Sequence, residues 1–175
     1  MLVEFQELVE QHRDRVFTLA TYLLGDREEA ADATQEVLLR LWRHMDRLDG
    51  SAGAWLTQVT RNYCFDQLRK RRSRRQALGD EQEPEVFELT ADDGSPGPER
   101  RAGNSELMRH LRRHLGELGE PYRSVLILRE VQEMKYREIS EALEMPINTV
   151  KVNIHRGRKM LRERLREVMD HAQAC

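Results

Sequence analysis

Apolar residues recur at three- and four-residue intervals over most of the 175-residue chain. In the N-terminal part this spacing predicts a long first helix that Gly25 ends and a second helix that Asp26 caps. A third helix is predicted to start near Trp55, after a break at residues 48–53, and to run into a basic end. Alternating β-branched runs joined by hairpin turns are absent from the sequence. We therefore predict an all-α fold.

The C-terminal part predicts a helix-turn-helix unit. A short helix is expected from about Tyr136 to Leu143, then a turn at residues 144–146, then a long helix from about Thr149. We expect Pro146 to break the first of these helices and Asn148, with Thr149, to cap the second. Such a unit is typical of proteins that bind duplex DNA.

Charge divides the chain into three segments. Residues 1–79 carry 13 basic and 12 acidic side chains, residues 80–100 carry one and eight, and residues 101–175 carry 15 and 11. The overall net charge of −2 is therefore a cancellation that hides two lobes with a positive balance. The acidic segment is also rich in proline and glycine, which predicts a flexible linker over 80–104 between helical domains at 1–79 and 105–175.

Several classes of protein are disfavoured by what the sequence lacks. No stretch reaches the roughly 20 apolar residues of a membrane span, and the N-terminus does not resemble a signal peptide. The two cysteines, Cys64 and Cys175, are too few for a disulfide framework, which favours the cytoplasm, and Cys64 is expected to be a core residue. His110 and His114 could share a metal, but their spacing alone favours ordinary histidines, so we predict no metal and no cofactor. Common catalytic motifs are missing, which indicates that the chain is not an enzyme.

Two basic regions carry the candidate chemistry. The helix after the turn has many Lys and Arg side chains, and its position favours DNA recognition over a merely solvated basic face. The run Arg69–Arg75 contains six basic residues and has two possible roles. It could stabilise a helix C-terminus, or it could contact phosphates of strand-separated DNA beside Trp55, Tyr63 and Phe65.

Three stretches, in order, resemble an extracytoplasmic-function (ECF) sigma factor, a small bacterial initiation factor of the sigma-70 type. They are Asp26–Trp42, Ala54–Arg72 and the C-terminal helix-turn-helix. The resemblance covers nearly the whole chain outside residues 80–105. It implies a sigma region 2 helical bundle followed by a sigma region 4 helix-turn-helix domain.

The resemblance also implies three sets of binding residues. The set for core polymerase is Asp32, Gln35, Glu36, Leu39, Arg40 and Trp42. The set for the promoter's minus-ten element is Gly50, Ser51, Trp55, Arg61, Asn62, Asp66 and Arg69. The set for the minus-thirty-five element is Thr149, Lys151, Val152, Asn153, His155, Arg156 and Arg158.

Two residues of the turn depart from the pattern common in this family. Glu144 and Asn148 stand where many members have glycine. Asparagine tolerates the left-handed region well, whereas a positive φ at Glu144 would cost about 1 kcal/mol.

The function implied by the resemblance is promoter-specific initiation without catalysis. Its implied partners are core RNA polymerase, promoter DNA and an anti-sigma factor. A helix-turn-helix regulator that is not a polymerase subunit is the main alternative, and the two differ in whether core polymerase is bound. An enzyme with a DNA-binding appendage is a third class, which would require a pocket of clustered titratable groups.

Overall fold

The structure, a computed structural model, describes residues 2–48, 50–79 and 110–173, with side chains up to residue 166. The described residues up to 79, here called the first lobe, form three long helices with a 3₁₀ turn at Met45–Arg47. The helices are α1 Leu2–Leu24, α2 Arg27–His44 and α3 Ala52–Ala77. The predicted linker at 80–104 lies outside the described residues.

The helix boundaries of the first lobe follow local sequence signals. Gly25 ends α1 with a φ of 76°, and the side chain of Asp26 accepts a 2.8 Å hydrogen bond from the backbone N–H of Glu29 at the start of α2. Both predicted signals are confirmed. Helix α3 begins at Ala52, three residues before the predicted start, because the hydroxyl of Ser51 caps it.

The described residues from 110 onward form the second lobe. It contains α4, helical over residues 110–117, and α5 Tyr122–Leu126, which continues as a π-helical turn at Ile127–Val131. The helix-turn-helix follows as α6 Tyr136–Ala142 and α7 Ile147–Gln173. No strand occurs within the two lobes as described, and none of their helices is long and apolar enough to cross a bilayer.

Glu144 closes the turn between α6 and α7. Its φ is 49°, and the N–H groups of Glu144 and Met145 bond to the carbonyls of Glu141 and Ser140, which is the Schellman pattern of a helix end. Glu144 therefore adopts the left-handed backbone, with its expected cost of about 1 kcal/mol. Met145 then leads directly into Pro146.

The predicted N-cap of α7 was wrong. The helix begins at Ile147, so Asn148 and Thr149 lie inside its first turn. Pro146 precedes the helix, and its carbonyl accepts the N–H of Val150 at 3.0 Å. Since the first N–H groups of a helix have no intrahelical partner, proline is well suited to this position and the helix can begin immediately after it.

The hydrophobic core crosses from one lobe to the other. Leu19, Leu23 and Cys64 of the first lobe belong to the same buried cluster as Leu126 and Ile139 of the second. A smaller cluster lies entirely within the first lobe and contains Val16, Val37, Leu41 and Leu56. The two lobes are thus packed against each other through apolar surface.

Candidate nucleic-acid interface

Helix α2 presents an amphipathic outer face. Asp32 and Gln35 are exposed, and two large apolar side chains lie beside them: Leu39 is 50% exposed and Trp42 is 42% exposed. The ring of Phe5 packs edge-on against Trp42 at 5.0 Å. Exposed apolar side chains next to carboxylates form a suitable docking surface for another protein.

Arg40 and Glu36 are held together on the same helix. Arg40 Nε donates to Glu36 Oε1 at 2.9 Å, and the guanidinium lies 5.2 Å from the centre of the Tyr63 ring. Burial, followed by the nearby charge of Glu36, raises the pKa of Tyr63, so its hydroxyl stays protonated at neutral pH. This pairing gives the two α2 side chains a defined orientation.

The loop before α3 and the first turn of α3 hold the first residues of the predicted minus-ten set. Gly50 and Ser51 are exposed. Trp55 is partly buried against the smaller core cluster, and the ring of His44 lies 5.8 Å from it. One part of the Trp55 ring therefore contributes to stability, and the remainder is accessible.

Further along α3, an exposed polar face contains Asn62, Asp66 and Arg69. Arg69 and Asp66 form an ion pair one turn apart. Arg61 lies on the neighbouring side of the helix and points toward the second lobe. Its Nε donates to Ser124 Oγ at 3.1 Å and its Nη2 donates to Glu120 Oε2 at 3.3 Å.

The basic end of α3 holds one cation within the fold and leaves others exposed. Arg71 donates to the carbonyl of Leu24 at 3.2 Å and to Glu29 at 3.4 Å, which ties α3 to the C-terminus of α1 and to the first turn of α2. Lys70, Arg72 and Arg74 instead lie exposed. Arg71 is thus a structural cation, and the exposed positions of the run are the ones suited to phosphate contact.

A cavity of about 200 Å³ lies between the lobes. Its walls include His12 and Arg15 of α1, Thr57 of α3, and the carboxylate-bearing residues Glu138 and Glu141 of α6. Burial, followed by the charge of Arg15, lowers the pKa of His12, so its ring is neutral at pH 7. Cys64 is fully buried nearby in the core, as expected, and burial raises its pKa to about 12.

The first half of α7 carries most of the predicted minus-thirty-five residues on its outer surface. Thr149, Lys151, Val152, His155 and Arg156 are exposed. Their side chains therefore face outward in the orientation that a recognition helix needs to enter a major groove.

Two α7 residues of the predicted set are placed differently. Asn153 is only 7% exposed, and its amide nitrogen lies 3.3 Å from the sulfur of Met145. Arg158 is half-exposed and pairs with Glu130 at 2.7 Å. In this arrangement Asn153 contacts the turn between α6 and α7, and Arg158 is paired with a residue of the π-helical turn at Ile127–Val131.

The two histidines of the metal alternative lie on α4. The rings of His110 and His114 are 6.4 Å apart, and His114 Nδ1 lies 3.1 Å from Glu117 Oε2. In the described ranges there is no group of three or more His, Cys, Asp or Glu residues that could hold a metal ion.

Two family models match the chain, one on each lobe. Sigma-70 region 2 matches residues 8–74, and Sigma-70 region 4 matches residues 109–161. The ECF RNA polymerase sigma factor SigW of Bacillus subtilis is 30% identical, over 94% of this chain and 90% of that protein. The chain is an ECF member of the sigma-70 family.

Other relatives agree with this membership. The ECF RNA polymerase sigma factor SigE of Mycolicibacterium smegmatis is 36% identical over 92% of this chain. The chain spans 61% of the length of SigE. Among solved structures, the sigma factor RpoE in complex with the anti-sigma factor NepR from Bartonella quintana has a TM-score of 0.74. That likeness covers 93% of this chain and 97% of RpoE at 22% identity, so it shows a shared fold.

Some residues of this ECF sigma factor could not be found by sequence reasoning. Glu120, Ser124 and Arg123 surround Arg61 only because the second lobe packs on α3. They belong to no recognised motif and lie about 60 residues away along the chain. The ordered motifs predict α2, α3 and α7 as binding helices, and the tertiary structure shows that α3 contacts the second lobe.

Proposed function

We propose that this ECF sigma factor directs core RNA polymerase to promoters, with the first lobe binding polymerase and the minus-ten element and the second lobe binding the minus-thirty-five element. The observation that carries this function is the order of the two sigma-70 regions, which match residues 8–74 of the first lobe and 109–161 of the second. The chain has no catalytic role of its own, since initiation chemistry belongs to the polymerase. We place this activity in the cytoplasm.

Helix α2 is the proposed polymerase-binding element. Leu39 and Trp42 supply apolar contact area, and binding energy at protein interfaces is concentrated in such side chains. Asp32 and Gln35 would form a polar rim around them. The hydrogen bond between Arg40 and Glu36 would hold these two side chains in a fixed orientation before polymerase binds.

The proposed minus-ten element reader is the loop at Gly50 and Ser51 together with the outer face of α3. Unpaired bases stack on aromatic rings while cations meet the phosphates, and Trp55 and Arg69 offer these two chemistries. An extruded base costs a few kcal/mol to unstack, which the loop would offset by contacts to the base.

The proposed minus-thirty-five reader is the exposed face of α7. Lys151 and Arg156 are suited to phosphates, and Val152 and His155 to base edges. Asn153 would keep its contact with Met145 and support the turn, or read a base after a change of rotamer.

A protein partner that restrains this factor is also proposed. RpoE was solved with the anti-sigma factor NepR, and CnrH, which has a TM-score of 0.67 to this chain, was solved with the cytosolic domain of CnrY. An anti-sigma factor for this chain is supported by these likenesses of fold.

Reconstituted transcription tests the function. Core polymerase with this protein should initiate from a defined subset of a genomic promoter library, and core polymerase alone should not. Absence of factor-dependent start sites would exclude the proposal. Capture of the protein by core polymerase separates it from a helix-turn-helix regulator, which would bind duplex DNA without forming that complex.

A further inference from the structure

The outer face of α7 has an apolar residue at its centre. Successive residues of an α-helix are rotated by about 100° around its axis, so a residue lies nearly opposite those two positions away from it. Val150 and Ile154 are buried in the core of the second lobe, and Val152 stands midway between them in the helix. The side chain of Val152 therefore faces away from the core, and it is 46% exposed.

Close packing fixes α7 in this orientation. A Cβ atom at Gly157 would lie 3.0 Å from Leu126 Cδ1, so the backbone of α7 approaches α5 more closely here than an additional carbon would allow. One residue further on, Arg158 pairs with Glu130 at 2.7 Å. A rotation of α7 that buried Val152 would disturb both contacts, because both lie on the side of the helix that meets the rest of the lobe.

Cationic and polar side chains surround this valine. Lys151, His155 and Arg156 are all exposed on the outer surface of α7. Asn153 is only 7% exposed and contacts the turn between the two helices of the helix-turn-helix. The amide of this stretch is therefore directed toward the protein, and Val152 occupies the middle of the face that the three exposed residues border.

The stability of the second lobe does not account for a valine at this position. Val152 belongs to neither of the two buried clusters, so it contributes little apolar burial to the fold. Valine is also a weaker helix former than lysine, glutamine or glutamate, because its branched side chain loses rotamer freedom in a helix. A binding partner with an apolar group explains the residue better than the fold does.

Duplex DNA offers one methyl group to a side chain in the major groove. It is the C5-methyl of thymine, whereas hydrogen-bond donors and acceptors of the other bases cannot pair with valine. Val152 is the sixth residue of α7, and the N-terminal residues of a recognition helix are the ones that reach base edges. We propose that Val152 is a specificity-determining residue that contacts the methyl group of a thymine in the minus-thirty-five element.

This inference rests on the proposed function, because it takes the outer face of α7 to lie in a major groove. It adds the identity of one base pair to that function: an A·T pair whose thymine, on either strand, lies beneath Val152. Lys151 and Arg156 would hold the phosphates on the two sides of this contact.

Deoxyuridine tests the contact directly, because it lacks only the methyl group of thymine. The full-length protein first selects its preferred sequence from a pool of DNA duplexes with a random central segment. The selected duplex is then synthesised with each thymine in turn replaced by deoxyuridine, and binding is measured by fluorescence anisotropy. We expect one such replacement to weaken binding about fourfold, which corresponds to the loss of one buried methyl group.

Val152→Ala is the matching change in the protein. It shortens an exposed side chain and introduces a better helix former, so the second lobe should remain folded. This variant should bind the thymine and deoxyuridine duplexes equally. Ile147→Ala is the matched control: Ile147 is also β-branched and exposed on α7, but it lies on a different side of the helix and its variant should keep the fourfold difference.

Equal binding of every deoxyuridine duplex by the unsubstituted protein would overturn the inference. So would a fourfold difference that persists in Val152→Ala or is lost in Ile147→Ala, and so would a selection that enriches no thymine-containing sequence. These measurements use no polymerase. Failure of the transcription assay with the thymine contact intact would therefore reject the proposed function alone, whereas transcription that depends on this protein and is indifferent to deoxyuridine would reject only the contact.

Discussion

The two helices that we propose to bind DNA differ in the accessibility of their basic side chains. On α7, Lys151, His155 and Arg156 are exposed and lie on the outer side of the second lobe. On α3, Arg61 is held by the second lobe through Glu120 and Ser124. Both helices are basic and amphipathic, so sequence character alone does not determine which of them is accessible. The packing of one lobe on the other makes this difference.

The largest expected effect is a loss of stability when a residue of the core shared by the two lobes is substituted. Ile139 is fully buried in the cluster that joins the lobes, so Ile139→Ala should lower the free energy of unfolding by about 2–5 kcal/mol. Both tryptophans, Trp42 and Trp55, belong to the first lobe. If the lobes unfold as one unit, urea titration followed by tryptophan fluorescence should therefore detect this second-lobe substitution.

Independent lobes would give a different result. The fluorescence transition would then stay at its original urea concentration while the helical circular dichroism signal changed. Val37→Ala, in the core cluster confined to the first lobe, is the matched control that must move the fluorescence transition in either case.

The second prediction concerns α2, the proposed polymerase-binding helix of the first lobe. Leu39 on α2 is 50% exposed while the lobes are packed together, so Leu39→Ala should weaken capture by core polymerase about tenfold while changing thermal stability little. Leu78, which is 82% exposed at the end of α3, provides the control Leu78→Ala. Equal losses for the two variants in a pull-down titration would remove α2 from the proposed polymerase surface.

The third prediction concerns the open helix α7. Arg156→Ala should weaken duplex binding by the free protein and reduce the slope of log K against log salt by about 0.9, as the loss of one phosphate contact does. Arg164→Ala removes the same charge from a residue of α7 already paired with Glu117. A salt titration in which both variants lose the same slope would argue against a specific phosphate contact at Arg156.

The smallest expected effect lies at the cavity between the lobes. Burial and Arg15 lower the pKa of His12, despite the presence of Glu138 and Glu141 in the cavity walls. The folded protein therefore binds fewer protons than the unfolded chain, and the free energy of unfolding should fall as pH drops below about 6.5.

His12→Gln should make that pH dependence shallower than in the unsubstituted protein. Urea titrations at several pH values between about 7 and 5 would measure both. An unchanged pH dependence in His12→Gln would show that other groups control stability in this range.

The sequence predicted helix ends well where they depend on residues within one turn of each other. Gly25 and Asp26 were identified as a stop and a start because a left-handed glycine and a side-chain cap act within one turn. The start of α7 was predicted two residues late. The Schellman turn at Glu144 ends α6 just before Pro146, and the new helix begins at the residue that follows this proline. Asn153 was expected on the reading face, but its contact with Met145 across the turn depends on how the two helices pack.

The sequence by itself determined the all-α architecture, the helix-turn-helix and the family, because periodicity, caps and ordered motifs are local properties of the chain. The tertiary structure alone decided that the lobes share a core and that Glu120 and Ser124 meet Arg61. Contacts between residues about 60 positions apart follow from the burial of apolar surface and from the resulting fit of one lobe on the other. That fit leaves Lys151, His155 and Arg156 of α7 exposed and engages Arg61 of α3, although both helices are basic.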